Sequence, residues 1–287
     1  TKIAMTKKFM NTYLTTKGTP FTDIDGYKTV DFIHEFDGRD ARMAQTVISP
    51  SYQMKISGRT VPYSPNWKVT RTGYHPIKWS IDDDADNVLS KAASWNSLPI
   101  LRYAEVLLNY AEAKAELGEM DAAVWDQTIA QLRSRAGVTP VVPDKADPYR
   151  EAYFLNTVTD KWILEVRRER GIELCLEMGL RWDDDMRWHM GDLLTSDNNP
   201  WTGIYIGSTS YTYDYTGLST DDNGDPVPDF YIRPGEDTEH SIAISNTGAN
   251  QTFSLNDEGN IVWEYRRVWS EKKYLRPIPL TAITRNP

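Results

Sequence analysis

The stretch LPILRYAEVLLNYAEAKA, residues 98–115, decides the fold and runs on through Glu116 and Leu117 to Gly118. Its polar positions, Arg102, Glu105, Asn109, Glu112 and Glu116, recur at intervals of 3, 4, 3 and 4. On a helix that spacing draws one narrow polar stripe. The remaining positions are almost all apolar, which predicts a helix buried over most of its circumference. Gly118 supplies the stop.

Immediately downstream, Asp121 is placed to cap a second helix. Its apolar residues Ala122, Trp125, Ile129, Leu132 and Ala136 repeat the same spacing. Gly137 and Thr139-Pro140 end it. The two helices form an antiparallel hairpin turning through residues 117–121, and small Ala111, Ala123 and Ala130 allow close packing. Such a hairpin resembles one tetratricopeptide-type unit, which cannot bury both faces without neighbours. Those neighbours must come from a third helix or from sequence outside this chain.

The third helix is expected over about residues 160–180, capped by Thr159 and carrying Ile172, Leu176 and Leu180 on one face beside Cys175. Glu165, Glu169, Glu173 and Glu177 form a second row, with Arg167, Arg168 and Arg170 to pair with them, which reads as a salt-bridged surface. A short helix over residues 182–190 follows. Outside this scaffold (98–190) lie two loop-rich regions, 1–97 and 191–287, all within one domain. A short helix at 9–14 and a short strand at 46–48 are expected in the first. In the second, Trp201, Tyr205, Tyr211, Tyr213 and Tyr215 alternate with small polar residues, as a strand or hairpin would. Order returns at Trp263-Glu264-Tyr265, and Pro277 and Pro279 then hold the chain extended.

Composition narrows the function. The 287 residues are 40% hydrophobic and 25% charged, enough for a real core. A net charge of −9 with no Lys/Arg stripe argues against nucleic acid. Cys175 is the lone cysteine and reads as a buried inert thiol; His34, His75, His189 and His240 have no metal-ligand spacing. Asp82-x-Asp84-x-Asp86 begins like a calcium loop but continues with Asn87 and Ala93 where Gly and Glu are needed. Asp221-x-Asn223 fails in the same way. No metal and no cofactor is implied. Nor is there a Gly-x-Ser-x-Gly elbow or a phosphate-binding loop. No apolar run approaches the ~18 residues of a membrane span. Residues 1–5 lack signal-peptide architecture, which leaves a cytoplasmic chain or an export signal in sequence not shown.

Four stretches together resemble the SusD/RagB family. They are residues 98–115; residues 165–188, with Glu169, Glu173, Glu177, Gly179, Arg181, Asp184, Arg187 and Trp188; KKYLRPIPLTAITRNP at 272–287; and Gly38-Arg39-Asp40-Ala41-Arg42, where the family more often has Pro in place of Ala41. The resemblance implies a mainly α fold, a SusD-like α/α superhelix with a tetratricopeptide-like hairpin and long irregular loops. It implies a non-enzymatic outer-membrane lipoprotein at the cell surface. That protein would capture oligosaccharides and pass them to a SusC-like TonB-dependent transporter. Family members run to roughly twice this length, so the chain is expected to be a C-terminal half, partnered by its own N-terminal half and lacking a few residues after Pro287.

Sugar recognition needs exposed aromatic faces beside hydrogen-bonding groups. With 10 Trp and 16 Tyr the chain offers two clusters: Tyr63, Trp67, Tyr74 and Trp79, which is preferred, and Trp201, Tyr205 and Tyr211. Arg102, Glu105 and Asn109 are expected to join Arg181, Asp184 and Arg187 in one structural network, with Glu173 part of the same family motif. Two other functions stay open. A glycoside hydrolase would need two carboxylates, and the run Asp183-Asp184-Asp185 reads instead as charged helix surface. A helical-repeat scaffold would bind proteins, peptides or glycopeptides.

Overall fold

A computed structural model describes residues 5–63, 65, 69–83, 97–207, 211–213, 230–232, 241–242 and 253–275, with backbone alone at 61–62, 211–213, 230–232 and 241–242. The mainly α fold holds among these residues. The helices are α1 (Lys7–Met10), α2 (Ala41–Thr46), α3 (Tyr103–Glu116), α4 (Ala122–Gln127), α5 (Ile129–Arg135), α6 (Pro148–Tyr153), α7 (Lys161–Glu173) and α8 (Leu180–Arg187). The strands are short. β1 (Gln53–Ile56) and β2 (Arg59–Pro62) form a hairpin. β3 (Trp201–Tyr205) pairs across the chain, as set out below, and β4 (Tyr211–Tyr213) pairs antiparallel with β5 (Phe230–Ile232). β6 (Ser241–Ile242) runs parallel to β5. β7 (Phe253–Leu255) and β8 (Asn260–Trp263) complete a sheet in the order β3-β8-β7. Among the described residues, which leave out Tyr215, the tyrosine-rich stretch is therefore split between two sheets, and β3 and β4 do not pair with each other.

The hairpin forms as its caps dictate. Gly118, at φ 69°, closes α3 in the left-handed region that favours glycine. Asp121 caps α4, its Oδ1 accepting from the Val124 N–H at 2.8 Å. The second helix is not continuous, because Thr128 breaks it into α4 and α5. Its buried hydroxyl donates to the Val124 carbonyl at 2.6 Å, taking an oxygen that helix bonding would use. α7 starts one residue later than expected, capped by Asp160, whose Oδ1 accepts from Trp162 N and Ile163 N. It also ends early. Leu176, Met178 and Gly179 all have positive φ, which turns the chain before α8.

Three apolar clusters hold these pieces together. One joins Met10, Tyr13, Phe32, Tyr74, Ile204, Phe253 and Ile261 beneath the β3-β8-β7 sheet. The second lies among the hairpin and α7: Leu108, Trp125, Ile129, Leu132, Val166 and Leu174. The third packs Tyr153, Phe154, Leu164, Met190 and Leu193. The short elements expected at 9–14 and 46–48 are otherwise placed: α1 lies earlier, Thr46 closes α2, and Val47 makes an isolated bridge to Pro76.

Two expectations are overturned together. α3 buries one face only, Ala104, Leu108, Ala111 and Ala115, and leaves Tyr103 74% and Leu117 69% exposed. Of its polar stripe only Glu112 is buried with that face; Asn109 and Glu116 stay exposed and meet charges of α7 from its edge. Asn109 accepts from Arg170 at 2.7 Å, Glu112 binds Arg187 and Trp188, and Glu116 lies 3.8 Å from Arg167. The glutamate row of α7 is likewise no surface. Every residue from Leu164 to Glu173 is buried, six of the ten charged. Glu169, fully buried, binds Arg42 and Arg133; Arg168 binds Asp147. Asp184 and Asp185 are also buried, each against arginines of its own neighbourhood.

Candidate functional site: a cleft beside Trp79

Around the C-terminal end of α7 the buried charges reach the surface and line a cleft of ≈480 Å³. The segment Gly38–Arg42 supplies one wall. Asp40 caps α2 by accepting from Arg42 N at 3.0 Å and holds the Arg42 guanidinium at 2.7 Å. That guanidinium reaches across to Glu169 and Glu173. Gln45, one turn further along α2, is exposed at the rim.

The opposite wall carries Arg102, which enters α3 and donates to Glu177 at 2.8 Å and Glu173 at 2.9 Å. Arg135, at the end of α5, donates to Glu173 at 2.6 Å while half of its side chain stays in solvent. Lys78 donates to Glu177 at 2.7 Å. Burial pushes the Glu173 carboxyl up, but Arg135, Arg42 and Arg102 outweigh it and hold the group at about 2. The cleft floor is therefore a fixed anion, Glu173, under three guanidiniums, with Lys78 held beside it by Glu177.

Trp79 completes the cleft. It sits at φ 77°, a backbone state that costs a bulky residue roughly 1–3 kcal/mol. Two contacts hold it there: its indole N–H donates to the Leu176 carbonyl at 2.8 Å, and Lys78 Nζ lies 5.5 Å from the ring. The ring is half-buried, apolar and rimmed by donors. That arrangement can stack on one face of a sugar ring and hydrogen-bond its hydroxyls.

The other sequence candidates are scattered. Tyr74 belongs to the core: it is fully buried, its hydroxyl 2.8 Å from both Glu35 carboxylate oxygens, so it has no face to offer. Tyr63 is half-buried with its ring edge-on to Tyr52. Trp67 lies outside the described residues, and of Tyr211 only the strand β4 is described. Trp201 and Tyr205 stand on β3, away from the cleft. Arg267 lies 4.1 Å over the Trp201 ring.

The expected single polar network is two. Arg102 belongs with Glu173 and Glu177. Asn109, Asp184 and Arg187 meet instead through Arg170 and Glu112. Arg181 pairs with Asp185, and the Glu105 side chain has no hydrogen bond or ion pair among the described residues. Gln45, Lys78 and Arg135 line the cleft but were not singled out from sequence. Lys78 adjoins Trp79, which is a signal, whereas Arg135 reads as an ordinary helix-end cation. Burial pushes the Cys175 thiol up to about 12, so it is inert at neutral pH. Among the described residues no group of three His, Cys, Asp or Glu could hold a metal ion.

Fold and cleft together define a mainly α protein in which a tetratricopeptide-like hairpin and a charged helix frame a surface cleft. The chain belongs to the SusD family, whose model matches residues 1–287. A SusD-like protein from Bacteroides fragilis shares the fold at a TM-score of 0.59 and 20% identity, covering 98% of this chain and 45% of its own. A SusD-like carbohydrate binding protein from the same organism matches at 0.49 and 26% identity, over 84% of this chain and 44% of its own. The chain thus spans less than half the length of the solved structures it matches. No curated protein matches the sequence.

Proposed function

We propose that the chain is the glycan-binding part of a SusD-type surface protein, which captures oligosaccharides and hands them to a TonB-dependent transporter of the outer membrane. Membership of a carbohydrate-binding family supports the ligand class. The same kinship supports lipid anchoring at the cell surface, and among the described residues no helix is long and apolar enough to cross a membrane.

The observation that carries the reading is Trp79, held half-buried in a strained backbone state at a rim of Lys78, Arg102, Arg135 and Gln45. The same cleft argues against hydrolysis. Glu173 and Glu177 are occupied by cations, and a carboxyl held at about 2 cannot donate a proton near neutrality. In native affinity gels containing a panel of plant, host and microbial polysaccharides, at least one polymer retards the wild type. Trp79→Ala should lose that retardation, at a cost of about 1–3 kcal/mol or roughly 5- to 150-fold in affinity. Equal retardation of both proteins would remove the cleft from the account.

A further inference from the structure

A second cavity, of ≈280 Å³, lies where α1, α6, the end of α7, α8 and β3 converge. Its walls are mostly apolar, built from Phe9, Tyr153, Leu176, Leu193 and Leu194. That volume is just under the ~300 Å³ at which sites for drug-sized ligands begin, so it suits one small ring and no oligosaccharide.

Besides Asp185 Oδ1, which is in ion-pair contact with Arg181, three polar atoms of the lining are buried without a hydrogen-bond partner: Trp201 Nε1, Asn199 Oδ1 and Arg267 Nε. Leaving a buried donor or acceptor unsatisfied is costly, because the group gives up its water without gaining a partner. Three in one cavity, two donors and one acceptor, describe a recognition pattern. A hydroxyl group both donates and accepts, so it matches a free donor such as Trp201 Nε1 and a free acceptor such as Asn199 Oδ1.

The charge in and behind the cavity is unbalanced. Two guanidiniums, Arg181 and Arg267, line it against one carboxylate, Asp185, which Arg181 already engages at 2.9 Å. Burial pushes that carboxyl up to about 6. Behind the wall, Tyr153 carries cations on its ring: Arg150 at 4.5 Å, Lys8 at 4.9 Å and Arg181 at 5.9 Å. Arg150 is 2% exposed and forms no ion pair with a described carboxylate. Burial, then Arg168, pushes it down to about 9; burial, then Arg150 and Arg181, pushes Lys8 down to about 8. An anion entering the cavity would relieve this excess.

We propose that this cavity binds a single acidic monosaccharide, its carboxylate turned to Arg181 and Arg267 and a ring hydroxyl set between Trp201 Nε1 and Asn199 Oδ1. The site is separate from the Trp79 cleft and stands or falls without it.

The test is a titration of the ¹⁵N-labelled chain with D-glucuronate and, separately, D-glucose, following the Trp indole N–H signals. Trp201→Phe assigns the Trp201 signal and Trp79→Phe the Trp79 signal. D-Glucuronate should shift the Trp201 signal saturably, in the Trp79→Phe variant as in the wild type. D-Glucose should bind at least about tenfold more weakly, the worth of a charged hydrogen bond. Arg267→Gln should weaken D-glucuronate by a similar factor. If that variant loses the dispersed Trp spectrum of the fold, Asn199→Leu replaces it, with the same expectation. A Trp201 signal that ignores D-glucuronate, or responds equally to both sugars, overturns the proposal. So does an affinity unchanged in a folded Arg267→Gln or Asn199→Leu variant. Ordered water would then be what satisfies these atoms.

Discussion

α7 and the outer face of α3 are opposites. From Leu164 to Glu173, α7 carries six charged residues in ten and hides them all; α3 is rich in apolar residues and turns Tyr103, Val106, Tyr110 and its C-cap Leu117 outward. Hydropathy alone would exchange the two. The difference is partnership. Each buried glutamate of α7 meets a guanidinium from another element: Glu165 and Glu169 meet Arg133, Glu169 and Glu173 meet Arg42, and Glu173 meets Arg102, which also holds Glu177 just beyond the helix. A charge with a fixed, hydrogen-bonded partner tolerates burial, whereas a lone one does not. Only Glu112 of the α3 stripe follows its partners inward, and the helix leaves apolar Tyr103, Val106 and Tyr110 at the surface.

The sharpest way to break this comparison is to remove one charge. Glu169→Ala leaves Arg42 and Arg133 buried and under-neutralised, so the chain should lose about 3–5 kcal/mol in urea unfolding. A loss below about 1 kcal/mol would place the row in solvent after all.

Acid sharpens the same point. The Glu173 carboxyl is held at about 2, below its ordinary 4.5, so it stabilises the fold fully above pH 4.5. That contribution, on the order of 3 kcal/mol, is lost as pH falls from 4.5 towards 2. Glu173→Gln should flatten this limb of a stability-against-pH curve relative to the wild type. Parallel curves would deny Glu173 its depressed state.

The smallest effect belongs to α3. Tyr103→Lys, on the exposed face, should change stability by no more than about 0.5 kcal/mol. A cost of several kcal/mol would mean that the outer face is not bare in this chain.

Much of the helical frame was legible. The polar spacing of α3, the Asp121 cap and the Gly118 stop are local signals, written in residues close in sequence. Thr128 hid its effect because a threonine at an apolar position looks like an ordinary helix residue until its hydroxyl finds a carbonyl. The α7 row was misjudged for a different reason. Glu173 and its partners Arg42, Arg102 and Arg135 are separated by up to 131 residues, and no periodicity announces such meetings. Trp79 and Tyr74 illustrate the limit for the site. Both are aromatic residues in a loop-rich stretch, yet one is fixed in a cleft and the other is sealed in the core by Glu35.

The cleft depends on Glu173 as a buried anion, because that carboxylate positions Arg42, Arg102 and Arg135 at once. Its ionisation can be followed by the ¹³C signal of the side-chain carboxyl, assigned with Glu173→Gln. The account predicts no titration of that signal until the pH falls well below 4, towards about 2. A midpoint at or above 4.5 while the chain is still folded would contradict it.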